Sequence, residues 1–165
     1  VLKVSDEELA ADGLLPDESP ATLLATMRDL HRRGADAVIV SRASKPLLLL
    51  DSEGFVEVES PRMEVADTRG AGDSLTAGVA AGLARGETAR EAVVTGAAAG
   101  ALNVTRHGLG TGDPETIAQL RQSVRVRVLV DDSAAGVSQP VTGHVSPDGL
   151  AALADPQNSD PEVPR

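Results

Sequence analysis

The chain has 165 residues, a single aromatic side chain (Phe55), no cysteine, and a net charge of −10 from 15 Lys and Arg against 25 Asp and Glu. That length suits one domain burying roughly two-thirds of its unfolded surface around an aliphatic, alanine-rich core. It excludes disulfides and thiol chemistry, and the missing aromatic platforms and acidic balance exclude broad nucleic-acid binding, though not a local phosphate pocket.

Residues 1–4 read as a short strand, and Ser5-Asp6-Glu7-Glu8 as a helix start with a cap and a Glu three residues on. Ser19-Pro20 opens a clearer helix, with Leu23, Leu24, Met27, Leu30 and His31 at helical spacing and Gly34 ending it. Ala37-Val38-Ile39-Val40 reads as a buried strand. Residues 47–50 and 55–59 read as two more, joined as a hairpin by Asp51-Ser52-Glu53-Gly54. After a loop with Gly70 and Gly72, small and apolar residues run at helical period over 73–85 and again over 88–105. Two helices so rich in Ala and Gly are expected to pack closely. Asp113-Pro114 caps a helix predicted through Val124, and residues 125–130 alternate like a last strand with one wet face.

From Asp131 the composition changes: residues 131–165 hold five prolines and six acids against one base, Arg165. This is expected to be a disordered tail with at most a helical turn near Leu150 to Leu153. The longest weakly polar run, 92–104, is shorter than the roughly 20 residues that cross a bilayer, so no membrane span is expected. A start on Val1-Leu2-Lys3-Val4 suggests a piece of a longer chain, without a secretory leader and cytoplasmic in location. His31, His107 and His144 have no second ligand at helical spacing, so a histidine metal site is not expected.

The segment that carries chemistry is Asp67-Thr68-Arg69-Gly70-Ala71-Gly72-Asp73-Ser74, a glycine-rich turn feeding a long helix. Two glycines let successive amides point one way, and the helix adds the positive end of its dipole. Asp73 would then sit beside an anion site, where a carboxylate can accept a proton from an attacking hydroxyl. Anion hole plus base is what phosphoryl transfer to an alcohol needs. No Gly-Lys pair exists for a P-loop, and G-x-G-x-x-G fails at Leu75 and Asp113, which disfavours a dinucleotide enzyme. A plain capped helix after a glycine loop remains the alternative, as a plain capping box does for Ser5 to Glu8.

Asp67 to Asp73 reads D-T-x-G-A-G-D, which resembles the second signature of the ribokinase-like (PfkB) carbohydrate kinases. Lys3 to Glu8 is similar to that family's K-x-N-x-x-E element, with Ser5 in place of Asn. Val40-Ser41-Arg42 resembles the start of its nucleotide loop, although Ala43-Ser44-Lys45-Pro46 stands where family members carry glycines. Residues 97–105, with Asn103, resemble the helix that walls the adenine site.

The resemblance implies an α/β, ribokinase-like three-layer sandwich with a mostly parallel sheet, truncated at its N-terminal side. Residues 1–130 would be the nucleotide-binding and catalytic half. It implies ATP and Mg²⁺, with Asp73 as base and Gly70, Ala71 and Gly72 as anion hole. Lys3, Ser5, Ser41, Arg42, Thr68 and Asn103 would lie on the nucleotide side, and Glu8 would act on Mg²⁺ through water. The acceptor would be a hydroxyl of a sugar or sugar phosphate, and Ser74 with Ala77-Gly78 leans toward the phosphofructokinase-like subgroup. The family's glycine-pair signature, most sugar-binding residues and β-lid would precede Val1. A noncatalytic nucleotide- or partner-binding remnant is therefore the rival reading, and a truncated sheet edge raises the expectation of self-association, as in a homodimer.

Overall fold

Alternation along three central strands sorts the core into two layers. In the computed structural model, which describes residues 1–17, 19–105 and 112–129, these strands are β2 (Val38–Arg42), β3 (Lys45–Asp51) and β4 (Gly54–Glu59). Ile39, Leu47, Leu49, Val56 and Val58 face one way; Val38, Val40, Leu48, Leu50 and Phe55 face the other. Successive strand side chains point to opposite faces, so the near-continuous apolar runs imply a sheet covered on both sides.

Four helices provide the cover. On the Phe55 face lie α1 (Asp6–Ala11) and α2 (Pro20–Arg32), which bury Leu9, Leu23 and Met27. On the Ile39 face lie α3 (Ala71–Ala84) and α4 (Ala89–Asn103), through Leu75, Val79, Ala92, Val93 and Ala97. A fifth helix, α5 (Pro114–Arg121), leads into β5 (Arg125–Val128), and the sheet order is β1-β2-β3-β4-β5 with β1 (Leu2–Ser5) at one edge.

The three-layer α/β arrangement agrees with expectation, but the mostly parallel sheet does not. Among the described residues only β1 and β2 pair parallel; β2–β3, β3–β4 and β4–β5 are antiparallel. The connections decide this. Ala43-Ser44 and Ser52-Glu53 are too short to do anything but reverse the chain, whereas a parallel pair needs a long crossover, which α1 and α2 supply between β1 and β2. Ala43 takes φ +47 in its turn, a left-handed conformation unusual for a residue with a Cβ.

Other differences are at element ends. α3 begins at Ala71, before the expected Asp73, and α5 stops at Arg121, short of Val124. β5 is exposed along its length instead of having one dry face. The expected tail over 131–165, with its helical turn and His144, lies outside the described residues, as does His107. No helix among the described residues is long and apolar enough to cross a membrane.

The close helix pair is realised through glycine. A Cβ built on Gly96 would lie 2.6 Å from the Leu75 carbonyl oxygen, and one on Gly78 would lie 2.8 Å from the Gly96 Cα. The two backbones therefore touch with nothing between them, which fixes the start of α3 against α4.

An ion pair ties this layer to the sheet. Arg90, in the first turn of α4, donates from Nε to Asp51 Oδ2 (2.7 Å) and from its terminal nitrogen to Oδ1 (2.8 Å) at the end of β3. Those bonds hold the Asp51 carboxyl below its ordinary value. Asp51 is thus easier to ionise folded than unfolded, so the pair's stabilisation is present above the unfolded carboxylate pKa and is lost as pH falls through the lower folded value. Asp51→Asn should melt below wild type at pH 7, with the gap closing in acid. A melting-temperature series against pH checks this.

Candidate functional site

The site is built where the parallel strands end and α3 begins. Ligands of α/β folds gather at the C-terminal ends of parallel strands because helix N-termini converge there. Ser5 and Ser41 are register partners at the ends of β1 and β2. The irregularity between Val40 and Arg42 sets Ser41 in a bulge, a device that re-aims a strand end.

The turn before α3 is shaped in part by bonds among its own residues. Asp67 Oδ1 accepts from the Arg69 amide (3.0 Å), and its other oxygen pairs with the Arg69 guanidinium (2.7 Å). The Thr68 carbonyl accepts from the Ala71 amide (3.3 Å), while the Thr68 side chain faces solvent. Gly70 follows at φ +74, ψ 3, a left-handed conformation that glycine adopts without steric cost, and its carbonyl accepts from Ser74 N–H (2.8 Å).

One feature separates α3 from its neighbours. Ser5, Ser19, Thr88 and Asp113 each cap their helix by accepting an amide hydrogen on the side chain, but Gly70 has no side chain to do so. Of the anion-hole amides expected at 70–72, that of Ala71 is taken by the Thr68 carbonyl, and among the described residues the Gly72 and Asp73 amides have no hydrogen-bond partner. They point out at the positive end of a 14-residue helix, where an external anion can satisfy them.

Lys3 completes the cradle. Its neighbour in the sheet is Ile39, on the α3 side, and a Cβ built on Gly72 would lie 3.7 Å from Lys3 Nζ. A side chain at 72 would therefore extend into the space between the open amides and the ammonium. The Asp73 carboxylate is exposed in the first helical turn and makes no hydrogen bond among the described residues. Two amides, an ammonium and an unengaged carboxylate thus share one corner, which fits a phosphate group beside a proton acceptor.

Glu8 stands near this corner but is already engaged. Its Oε2 accepts from the Ser5 amide (2.7 Å), and Ser5 Oγ accepts from the Glu8 amide (3.1 Å), so the capping-box alternative is realised. The Ser5 hydrogen bonds hold the Glu8 carboxyl below its ordinary value, and the Lys3 charge adds to this. No three acidic or histidine side chains gather to hold a metal among the described residues. A Mg²⁺ here would depend on phosphate oxygens and water, its usual ligands at nucleotide sites.

Two residues assigned to the nucleotide side by resemblance are engaged within the fold. Arg42 donates from Nε to the Pro46 carbonyl (2.7 Å) and pairs with Glu57 (3.2 Å), which closes the β2–β3 hairpin. Asn103 is 3% exposed, donates from Nδ2 to the Arg69 carbonyl (2.7 Å), and accepts from Ser74 Oγ (3.1 Å). The sequence alone assigns Ser74 no bond to Asn103. A polar residue near the end of an otherwise apolar, buried helix was the available signal that a partner was needed.

Known proteins share this fold. The chain is 28% identical over 130 residues to the 1-phosphofructokinase of Haemophilus influenzae, covering 78% of this chain and 42% of that protein. Phosphofructokinase-2 from Escherichia coli, in complex with potassium, superposes with a TM-score of 0.65 at 27% identity, over 73% of this chain and 40% of that one. Arabidopsis thaliana ribokinase, complexed with ribose and ATP, gives 0.65 at 26% identity over the same shares. The chain therefore spans about two-fifths of the length of these relatives. The model of the pfkB family of carbohydrate kinases matches residues 1–116, and with the ribokinase-like fold and the open turn before α3 this places the chain in that family.

Proposed function

We propose that the chain is the nucleotide-binding and phosphoryl-transfer part of an ATP-dependent kinase acting on a hydroxyl of a sugar or sugar phosphate, with phosphofructokinase-like substrates favoured. The observation that carries this reading is the uncapped start of α3, with its two open amides beside Lys3 and Asp73. ATP with Mg²⁺ would supply the transferable phosphoryl group and most of the metal's ligands.

In this reading the Gly72 and Asp73 amides and the Lys3 ammonium hold negative charge that spreads over the phosphoryl oxygens during transfer. The Asp73 carboxylate accepts the proton of the acceptor hydroxyl and orients its oxygen for attack. Glu8 would act on Mg²⁺ through water, while Ser5, Ser41 and Thr68 offer hydroxyls around the same corner. By the family resemblance, most residues that choose the sugar would lie outside this chain, so turnover would need a longer protein. A cytoplasmic location belongs to the same reading.

The rival, a noncatalytic nucleotide-binding module, rests on the coverage of about two-fifths of each relative. Calorimetric titration with a nonhydrolysable Mg-ATP analogue tests what both share. Saturable binding is expected, and the Asp73→Asn, Gly72→Val double variant should lose it because a valine side chain fills the cradle. No binding by a folded chain would overturn the nucleotide site in this polypeptide. Phosphorylation of fructose phosphates by the chain joined to a complete first half would then separate kinase from module.

A further inference from the structure

The end of α4 makes four hydrogen bonds to the segment that carries the anion turn. The Val104 carbonyl accepts from the amides of Ala66 (2.8 Å) and Asp67 (3.1 Å). Asn103 Nδ2 donates to the Arg69 carbonyl (2.7 Å), and its Oδ1 accepts from Ser74 Oγ (3.1 Å). The amide orientation follows from chemistry, since the Arg69 carbonyl can only accept. Arg69 immediately precedes Gly70, and Ser74 immediately follows Asp73. One planar amide, 3% exposed, therefore holds both arms of the turn.

The turn needs such a tie. Gly70 and Gly72 carry no side chains that would restrict the backbone, so the open-amide conformation competes with many others. Asn103 itself is anchored, because the glycine contacts of α4 set it against α3: a Cβ on Gly100 would lie 3.1 Å from the Ala71 carbonyl. Buried bonds of this kind have no water to replace them when one partner is removed.

We propose that Asn103 is a positioning residue. By bonding both arms of the turn it holds the Gly72 and Asp73 amides and the Asp73 carboxylate in their anion-binding arrangement, without contacting the nucleotide. The identity of the anion rests on the kinase reading above; the ordering of the turn does not.

The test compares the wild-type chain with Asn103→Asp, which keeps the acceptor for Ser74 and removes the donor to Arg69, and with Ser74→Ala, which removes only the other bond. Thr95→Val is the control, a buried polar residue bonded to Glu87 and remote from the turn. Backbone ¹⁵N relaxation reads the order of residues 70–73, and calorimetry reads the affinity for the nonhydrolysable Mg-ATP analogue. Order parameters of about 0.85 in wild type and in Thr95→Val should fall toward about 0.6 in Asn103→Asp. Analogue affinity should fall roughly tenfold in Asn103→Asp and less in Ser74→Ala.

Unchanged order over 70–73 in folded Asn103→Asp would overturn the proposal, whatever the ligand does. If Asn103→Asp does not fold, Ser74→Ala decides by the same reading. Wild type that fails to bind the analogue would refute the nucleotide site in this chain, and the relaxation comparison would still decide the role of Asn103.

Discussion

Under the proposed function, Asp73→Asn in the chain joined to a complete first half is expected to lower kcat by roughly 10²- to 10⁴-fold, the usual contribution of a positioned base, while leaving nucleotide affinity within about a factor of three. The asymmetry follows from the geometry. In the proposed site the anion would be held by the Gly72 and Asp73 amides and by Lys3, and the substitution leaves all three in place because backbone amides do not depend on the side chain. Only the proton acceptor is lost, and an amide oxygen is far too weak a base to replace a carboxylate. Steady-state kinetics with both substrates, beside a titration with the nucleotide analogue, separates the two effects. Equal losses in kcat and affinity would make Asp73 a structural residue of the turn and would remove the base from the proposed mechanism.

Gly96→Ala should produce the largest loss of stability among single-methyl changes in the α3–α4 pair. Propensity alone predicts the opposite, since alanine in a helix interior is favoured over glycine by about 1 kcal/mol. The contact outweighs it. The new methyl would meet the Leu75 carbonyl oxygen at 2.6 Å and Val79 Cγ2 at 2.7 Å, and a backbone oxygen cannot rotate aside. The helices must separate, with a net cost of roughly 1–3 kcal/mol, typical of overpacking in a dense core. Denaturant midpoints of wild type and variant check the sign. A second consequence is functional: α3 moves relative to Asn103, so analogue affinity should fall along with stability. A stabilised Gly96→Ala would mean that the two helices can part freely and that their contact does not set the turn.

Much of the architecture was legible because local rules and global packing agree. Ser19-Pro20 and Asp113-Pro114 announce helix starts, and side-chain caps are found at both. Apolar runs at 37–40, 47–50 and 55–59 announce strands, and each of those strands lies between helix layers. The D-T-x-G-A-G-D segment marks a glycine turn feeding a helix, and α3 begins there with open amides. The sheet is mostly antiparallel where a mostly parallel one is expected, because strand direction depends on connection length and crossover, not on composition. Residues 43 and 44 gave no glycine to mark a tight turn, and Ala43 adopts the left-handed conformation regardless.

Residue types and their order therefore determined the element sequence, the acidic balance, the absence of thiol chemistry and the position of the candidate base. Tertiary structure alone decided which polar groups stay free. Arg42 and Asn103 looked equally available along the chain, but folding gives Arg42 to Glu57 and the Pro46 carbonyl, and gives Asn103 to Arg69 and Ser74. Lys3 comes to Gly72 across nearly seventy residues of chain only because β1 lies beside β2 with α3 on the same face. Hydrogen bonds between distant residues are set by packing, and packing is a property of the whole chain that no local spacing encodes.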